Sequence, residues 1–171
     1  MKYKSFYNSP IGNILIAADD KGLSGLWLDG SRFYADGLSD KSIERSVKSI
    51  ELTKKWLDIY FSGEEPKFMP EISLYGSEFQ KEVCRLMAEI PYGQTTTYGH
   101  LAEMIAKRRG IKRMSAQAIG GAVGRNRISI IIPCHRVVGS DGSLTGYGGG
   151  VERKKKLLAL EHITLPQGRL R

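Results

Sequence analysis

Cys134 and His135 stand side by side in Ile130-Ile131-Ile132-Pro133-Cys134-His135-Arg136, the one place where this chain sets a thiol next to a base. The thiolate is the form of cysteine that attacks, and positive charge on His135 and Arg136 would favour it. The apolar run before Pro133 predicts a short buried strand. Proline ends its pairing and holds the preceding residue extended, so Cys134 is expected at a rigid strand end. Neighbouring side chains of an extended segment point to opposite faces. A link between His135 and the sulfur therefore requires a bridging water, or a turn after Pro133. For the dipeptide alone the competing reading is an inert core thiol, the usual state of a free cysteine.

Other chemistry is sparse. Cys84 lies in a helical pattern and reads as a small core residue. The three histidines are isolated and lack zinc-ligand spacing, so neither a structural metal nor a disulfide framework is expected. Nothing supplies an evident oxyanion hole or acyl pocket for a thiol hydrolase. The start of the chain has no apolar run beyond Ile14 to Ala18, which predicts neither a signal peptide nor a membrane span. A cytoplasmic location is expected, or a nuclear one in a eukaryote.

The elements that must position Cys134 fall into two parts. With 171 residues, 41% of them hydrophobic, the chain can bury a real core in one large domain or two small ones. Apolar and polar residues alternate in Lys2 to Tyr7, Asn13 to Ala18 and Leu23 to Leu28 between turn signals, predicting a three-stranded antiparallel meander. Ile43, Val47, Ile50, Leu52, Trp56, Leu57 and Tyr60 follow at roughly helical spacing and predict a helix over one face of the sheet. Gly63 to Gly76, with Pro66 and Pro70, reads as an inter-domain linker. This divides the chain into residues 1–75 and 76–171.

The second part is expected to be largely helical. Ser77 and Gln80 form a capping-box signature ahead of Phe79, Val83, Leu86, Met87 and Ile90, and Pro91-Tyr92-Gly93 stops that helix. Thr97 can cap a second helix to about Lys107, and Ser115 a third. The third, Ala116-Gln117-Ala118-Ile119-Gly120-Gly121-Ala122-Val123, contains two glycines that cost roughly 1 kcal/mol each relative to alanine. Something other than helix stability selects it. A thin second helix after a basic turn suggests a helix-turn-helix; tight packing inside the domain would explain small residues equally well.

Charge favours the first of these. Residues 1–75 carry 10 Lys/Arg against 11 Asp/Glu, whereas residues 76–171 carry 16 against 7, so the whole excess of the +8 chain lies in the second part. Lys112, Arg113, Arg125 and Arg127 flank the thin helix. An imbalance confined to one segment reads as a footprint for a polyanion.

The longer string Ile131-Ile132-Pro133-Cys134-His135-Arg136-Val137-Val138 resembles the reactive-site signature of the O6-alkylguanine-DNA alkyltransferase family. Further blocks are similar: Ser9-Pro10-Ile11-Gly12, Phe79-Gln80, Ile90-Pro91-Tyr92-Gly93, Thr97-Tyr98, Gly124-Arg125-Asn126, Gly146-Tyr147-Gly148-Gly149-Gly150 and Lys156 to Glu161. The resemblance implies an α/β (α+β) protein with a ribonuclease-H-like N-terminal domain and a winged-helix-like, helix-turn-helix C-terminal domain. It implies an activity as well: transfer of an alkyl group from O6-alkylguanine in double-stranded DNA to Cys134, once per molecule and without a cofactor or metal. The nucleotide must be flipped out, from the minor groove, because the target atom is stacked and paired.

In this assignment Glu161 orients His135, His135 activates Cys134 through a water, Asn126 orders the turn beside the sulfur, and Tyr98 donates to the base. Val137, Tyr147 and Gly148 border the base pocket. Thr97, Arg113, Ser115, Ala116, Gln117, Gly120 and Arg125 are expected against DNA. No membrane, no obligate protein partner and a monomer are implied. The chain departs from the family in three places: Gln117 stands where an arginine is usual, Arg127 and Ser129 where many members have prolines, and the basic loop Lys107 to Arg113 is long. A non-catalytic lesion-binding relative and a helix-turn-helix regulator remain as alternative classes, although the first lacks the reactive cysteine.

Overall fold

The computed structural model describes residues 1–144 and 146–165. Two compact units divide the chain. The first contains Met1–Tyr75 and, in addition, Arg127–Ile131; the second contains Gly76–Asn126 and the described residues from Ile132 on.

In the first unit β1 (Tyr3–Ser9), β2 (Gly12–Ala18) and β3 (Leu23–Leu28) form the antiparallel meander, and β4 (Ile43–Glu44) adds a parallel edge in the order β3-β2-β1-β4. Residues Ile14–Ala18 and all of β3 are buried, which is why their sequences are nearly continuous apolar runs, whereas β1 alternates. Helix α1 (Lys48–Phe61) buries Ile50, Thr53, Trp56, Leu57 and Tyr60, the helical face expected from the spacing. Ile43 is a correction: the amides of Ile43 and Arg45 donate to the carbonyls of Lys2 and Lys4, so this stretch pairs with the open edge of β1 instead of starting the helix.

The expected linker is partly tied down. Leu23 N–H donates to Glu71 O at 2.8 Å and Ser73 N–H to Leu23 O at 2.7 Å. Further along the same strand Leu26 N–H donates to Arg127 O at 2.8 Å and Ser129 N–H to Leu26 O at 3.0 Å. These bonds use the backbone groups that β3 would otherwise leave unpaired, and they explain the membership of Arg127–Ile131 in this unit. A proline at 129 could not donate this bond, so the Ser129 amide helps to hold the turn on β3.

In the second unit α2 (Glu78–Ala88) begins with the expected capping box, and α3 (Tyr98–Arg109) begins at Thr97, whose hydroxyl accepts the His100 amide. Gly110 ends α3 at φ 65°, a left-handed position suited to glycine. Helix α4 (Ala116–Gly124) follows, its first turn capped by Ser115. A 3-10 turn (Cys134–Arg136) leads into β6 (Val137–Val138), which pairs in parallel with β5 (Thr96–Thr97), and α5 (Val151–Leu160) comes last. Val83, Leu86, Met87, Leu101, Ile105, Ile119, Val123, Leu157 and Leu158 are buried in this unit. No described helix is long and apolar enough to cross a membrane.

Candidate active site

The strand expected at Ile130–Ile132 is absent; these residues form turns. Ile131 N–H donates to Ser129 O and Cys134 N–H to Ile132 O, both at 2.8 Å, and Ile130 is fully buried with φ 71°. A β-branched residue in the left-handed region is an outlier that costs roughly 1–2 kcal/mol. Packing of its side chain in the core offsets that cost. Periodicity could not reveal this, because an apolar run of three looks alike in a buried strand and a buried turn. The other expectation, a turn after Pro133, is met by the 3-10 turn, which brings Cys134, His135 and Arg136 onto one short element.

His135 and Glu161 are brought together, as the resemblance implied. Nε2 of His135 lies 2.5 Å from Oε2 of Glu161, both side chains fully buried. The carboxylate has two further donors: Arg136 Nε at 2.7 Å and the Gly93 amide at 3.2 Å, both on Oε1. Burial alone would push Glu161 up. The hydrogen bonds and charges of His135 and Arg136 outweigh it and hold the carboxyl at about 2. Burial also pushes His135 down, aided by the charges of Arg136 and Lys154 and opposed by Glu161. The imidazole is therefore kept neutral, and the carboxylate on Nε2 makes Nδ1 the nitrogen able to accept a proton. Arg136 departs from expectation: its guanidinium is spent on Glu161 and on the Ile90 carbonyl at 2.8 Å, so it braces the His135–Glu161 pair rather than the thiolate.

Cys134 is buried, and burial pushes its thiol up. Four influences oppose that: a hydrogen bond from Asn126, the positive charge of Lys154, and the backbone amides of Cys134 and His135. Asn126 also ties the turn, its Nδ2 donating to Ile132 O at 2.9 Å while the Cys84 sulfur lies 4.0 Å from its Oδ1. Cys84 itself is pushed up to about 12, first by burial and then by Cys134, and is the inert core thiol expected. Tyr98 and Tyr147 are both raised, first by burial and then by the charge of Cys134, so both phenols keep their protons beside the sulfur. Val137 is buried, and its carbonyl accepts the Lys154 ammonium at 2.6 Å; Gly148 is half-buried in the turn after Tyr147.

Lys154 was not singled out by sequence, being one of four consecutive basic residues in Arg153-Lys154-Lys155-Lys156. Helical spacing carries the missed signal. Val151, Lys154, Leu157 with Leu158, and Glu161 fall on one face, which places Lys154 inside.

On the helix-turn-helix, Ser115 accepts the amides of Gln117 and Ala118, and Ala116, Gln117, Ala118 and Gly121 are exposed. A Cβ added at Gly121 or Gly124 would meet nothing within 4 Å, and one at Gly120 only Tyr98 Cδ1 at 3.9 Å. Internal packing thus does not require the glycines, which leaves close approach of an outside surface as their use. Arg113 and Arg125 are exposed, and Thr97 is half-buried. Within the basic loop Arg108 pairs with Glu89 at 3.4 Å and Arg109 with Glu82 at 2.7 Å, whereas Lys112 and Arg113 have no ion-pair partner among the described residues.

A buried cysteine beside a neutral histidine, carried on the same unit as a thin helix-turn-helix helix, defines a DNA-binding protein with a thiol nucleophile. Comparison with known proteins agrees. The family described as "6-O-methylguanine DNA methyltransferase, DNA binding domain" matches residues 78–163, and its "ribonuclease-like domain" matches residues 2–74. The methylated-DNA--protein-cysteine methyltransferase of Methanosarcina barkeri is 42% identical over 95% of this chain and 99% of its own length; that of Mycolicibacterium paratuberculosis is 41% identical over 93% and 92%. Among solved structures, the Mycobacterium tuberculosis O6-methylguanine methyltransferase superposes with a TM-score of 0.77 at 35% identity, over 98% of this chain and 96% of that one. The M. tuberculosis OGT in complex with DNA gives 0.78 at 36%, over 93% and 92%. The chain belongs to the methylated-DNA--protein-cysteine methyltransferase family.

Proposed function

We infer that this protein repairs DNA by direct reversal, moving the alkyl group of O6-alkylguanine onto Cys134 in a single turnover. The observation that carries this reading is the His135–Glu161 pair, in which His135 stands on the same short turn as the buried Cys134 and Glu161 at the end of α5. His135 Nδ1 takes the thiol proton through a water, and Glu161 stabilises the imidazolium that results. The thiolate then attacks the saturated carbon in line. The S–C bond forms, the C–O bond breaks, and the electron pair leaves on the guanine oxygen. Tyr98, whose phenol is protonated, donates to the departing base, while Tyr147, Val137 and Gly148 border it. The thioether is not readily hydrolysed, so each molecule acts once, without cofactor or metal.

The target base must leave the stack. Helix α4 enters the minor groove, with Gln117 at the position vacated by the flipped nucleotide, and the protein works as a monomer in the cytoplasm or nucleus. Intact mass before and after mixing with O6-methylguanine duplex is the deciding measurement. A gain of one methyl on the Cys134 peptide is expected; an unmodified peptide with intact affinity would make the protein a lesion binder.

The ion pairs of the basic loop divide its charges by task. Lys112→Ala and Arg113→Ala are each expected to reduce the slope of log affinity against log salt by about 0.9, the value of one phosphate contact. Arg108→Ala and Arg109→Ala should leave the slope nearly unchanged, because those guanidinium groups are held by Glu89 and Glu82. Equal slopes for all four variants would remove the loop from the interface.

A further inference from the structure

Cys84 is a buried thiol for which the transfer reaction has no use as a nucleophile. It lies on the buried face of α2 with Val83, Leu86 and Met87, and its sulfur is 4.0 Å from Oδ1 of Asn126, just past the end of α4. The nitrogen of the same amide serves the reactive turn. Nδ2 donates to the Ile132 carbonyl at 2.9 Å, and a hydrogen bond from Asn126 reaches the Cys134 sulfur. One planar amide thus has both thiols of the chain as its partners.

The two ends of that amide are not interchangeable. Its oxygen only accepts, whereas its nitrogen has two hydrogens to donate. The Ile132 carbonyl requires a donor, so one hydrogen belongs there and the second is left for the Cys134 sulfur. Turning the amide over would set Oδ1 against the Ile132 carbonyl, acceptor against acceptor, and withdraw both donors from the reactive turn. A donor on Oδ1 opposes that rotation, and the S–H of Cys84 is in place to be one. Its proton is secure. Burial pushes the Cys84 thiol up to about 12, and the charge of Cys134 acts in the same direction, so ionisation of the reactive sulfur fastens the proton on the other. A thiol is a weak donor and this contact is long, which sets a modest size for its effect.

We propose that Cys84 is a positioning residue for alkyl transfer: its S–H, set on Oδ1, keeps the Asn126 amide turned with Nδ2 toward the Ile132 carbonyl and the Cys134 sulfur. This rests on the reading of Cys134 as the alkyl acceptor. Cys84 acts through Asn126 and exchanges no covalent bond. The titratable and charged groups that face Cys134 among the described residues are Lys154 from α5, His135 on the same turn, Tyr98 from α3, Tyr147 from the loop before α5, and Cys84 from α2. Replacing a protonated thiol at position 84 by another neutral side chain leaves all of these charges as they were. A shift in the Cys134 midpoint then reports the orientation of the amide.

The test follows methylation of Cys134 in the full chain by iodomethane, in which the S–C bond forms, iodide leaves and no base has to be flipped. Peptide mass assigns the product to Cys134, and the rate against pH gives the thiol midpoint. Cys84→Val, close in size and without a donor, should raise that midpoint by about half a unit and slow methylation near neutral pH by about threefold. Cys84→Ser keeps a donor and should stay at the wild-type midpoint. Cys84→Ala should follow Cys84→Val, and it decides the matter if the valine does not pack. Equal midpoints in all four proteins, or a shift in Cys84→Ser as large as in Cys84→Val, overturn the proposal. In an Asn126→Ala background Cys84→Val should add no further shift, because the amide through which it acts is gone. A full additional shift there also overturns the proposal. Failure to accept a methyl from O6-methylguanine DNA, with these results intact, would overturn only the underlying assignment.

Discussion

Replacing Cys134 with serine is expected to lower alkyl transfer by at least about a thousandfold while leaving DNA affinity unchanged. A hydroxyl ionises far above neutral pH, so the Asn126 hydrogen bond, the Lys154 charge and the backbone amides that favour the thiolate cannot produce an alkoxide there. The substitution is small and internal. Cys134 is 6% exposed, whereas the surface assigned to DNA lies on α4, whose first residues are exposed. Single-turnover transfer from labelled duplex measures the first effect and fluorescence anisotropy the second. Transfer at near-normal rate would move the acceptor elsewhere. Cys84 is a poor candidate, with its thiol pushed up to about 12.

Glu161 carries the second large effect, and two substitutions there are expected to separate stability from chemistry. Glu161→Ala removes the acceptor of His135, Arg136 and the Gly93 amide together. It leaves a buried guanidinium without its anion, at an expected loss of about 3–5 kcal/mol. Glu161→Gln keeps an oxygen for Arg136 and Gly93 but turns an amide N–H toward His135. The imidazole must then carry its proton on Nδ1, where the base is needed. Transfer should fall by about 10²–10⁴, the range of general-base contributions, with a much smaller loss of stability.

The pH dependence has a definite sign. The folded carboxyl is depressed to about 2, so its stabilising contribution is complete above the usual carboxylate range and is lost as pH falls toward about 2. Urea denaturation between pH 5 and pH 2, on the order of the window these values define, should slope less for Glu161→Gln than for the wild type. Parallel slopes would show that Glu161 does not hold the low value.

Much of this molecule is written in its sequence, for reasons that are local. The three long strands, the Ser77–Gln80 capping box and the Ser115 cap follow from patterns that act over a few residues. Cys134 and His135 are legible as a thiol beside a base, whereas Glu161 and Asn126 are legible only through family resemblance, since 27 positions separate Cys134 from Glu161 and no local rule joins them. Three features stayed hidden. Ile43 pairs with a strand distant in sequence, Ile130 takes a backbone conformation that its side chain disfavours, and Arg136 finds its acceptors on Glu161 and Ile90. Ile43 and Arg136 are set by partners distant in sequence, and Ile130 by burial of its side chain. Lys154 differs, because its helical register was readable and only its basic neighbours disguised it.

The membership of Arg127–Ile131 bears on how the protein is made. A ribosome releases the first 75 residues well before this stretch, so β3 emerges with the amide and carbonyl of Leu26 still lacking their partners. The first unit is finished only when residue 131 has left the exit tunnel, by which time most of the second unit's helices are available. Nor can the second unit be excised by a single cut at residue 76. The fragment would carry Ile128, Ile130 and Ile131, all buried in the whole protein, without the rest of the unit to which they belong. The two parts are encoded as an interrupted text, and neither is a transferable cassette.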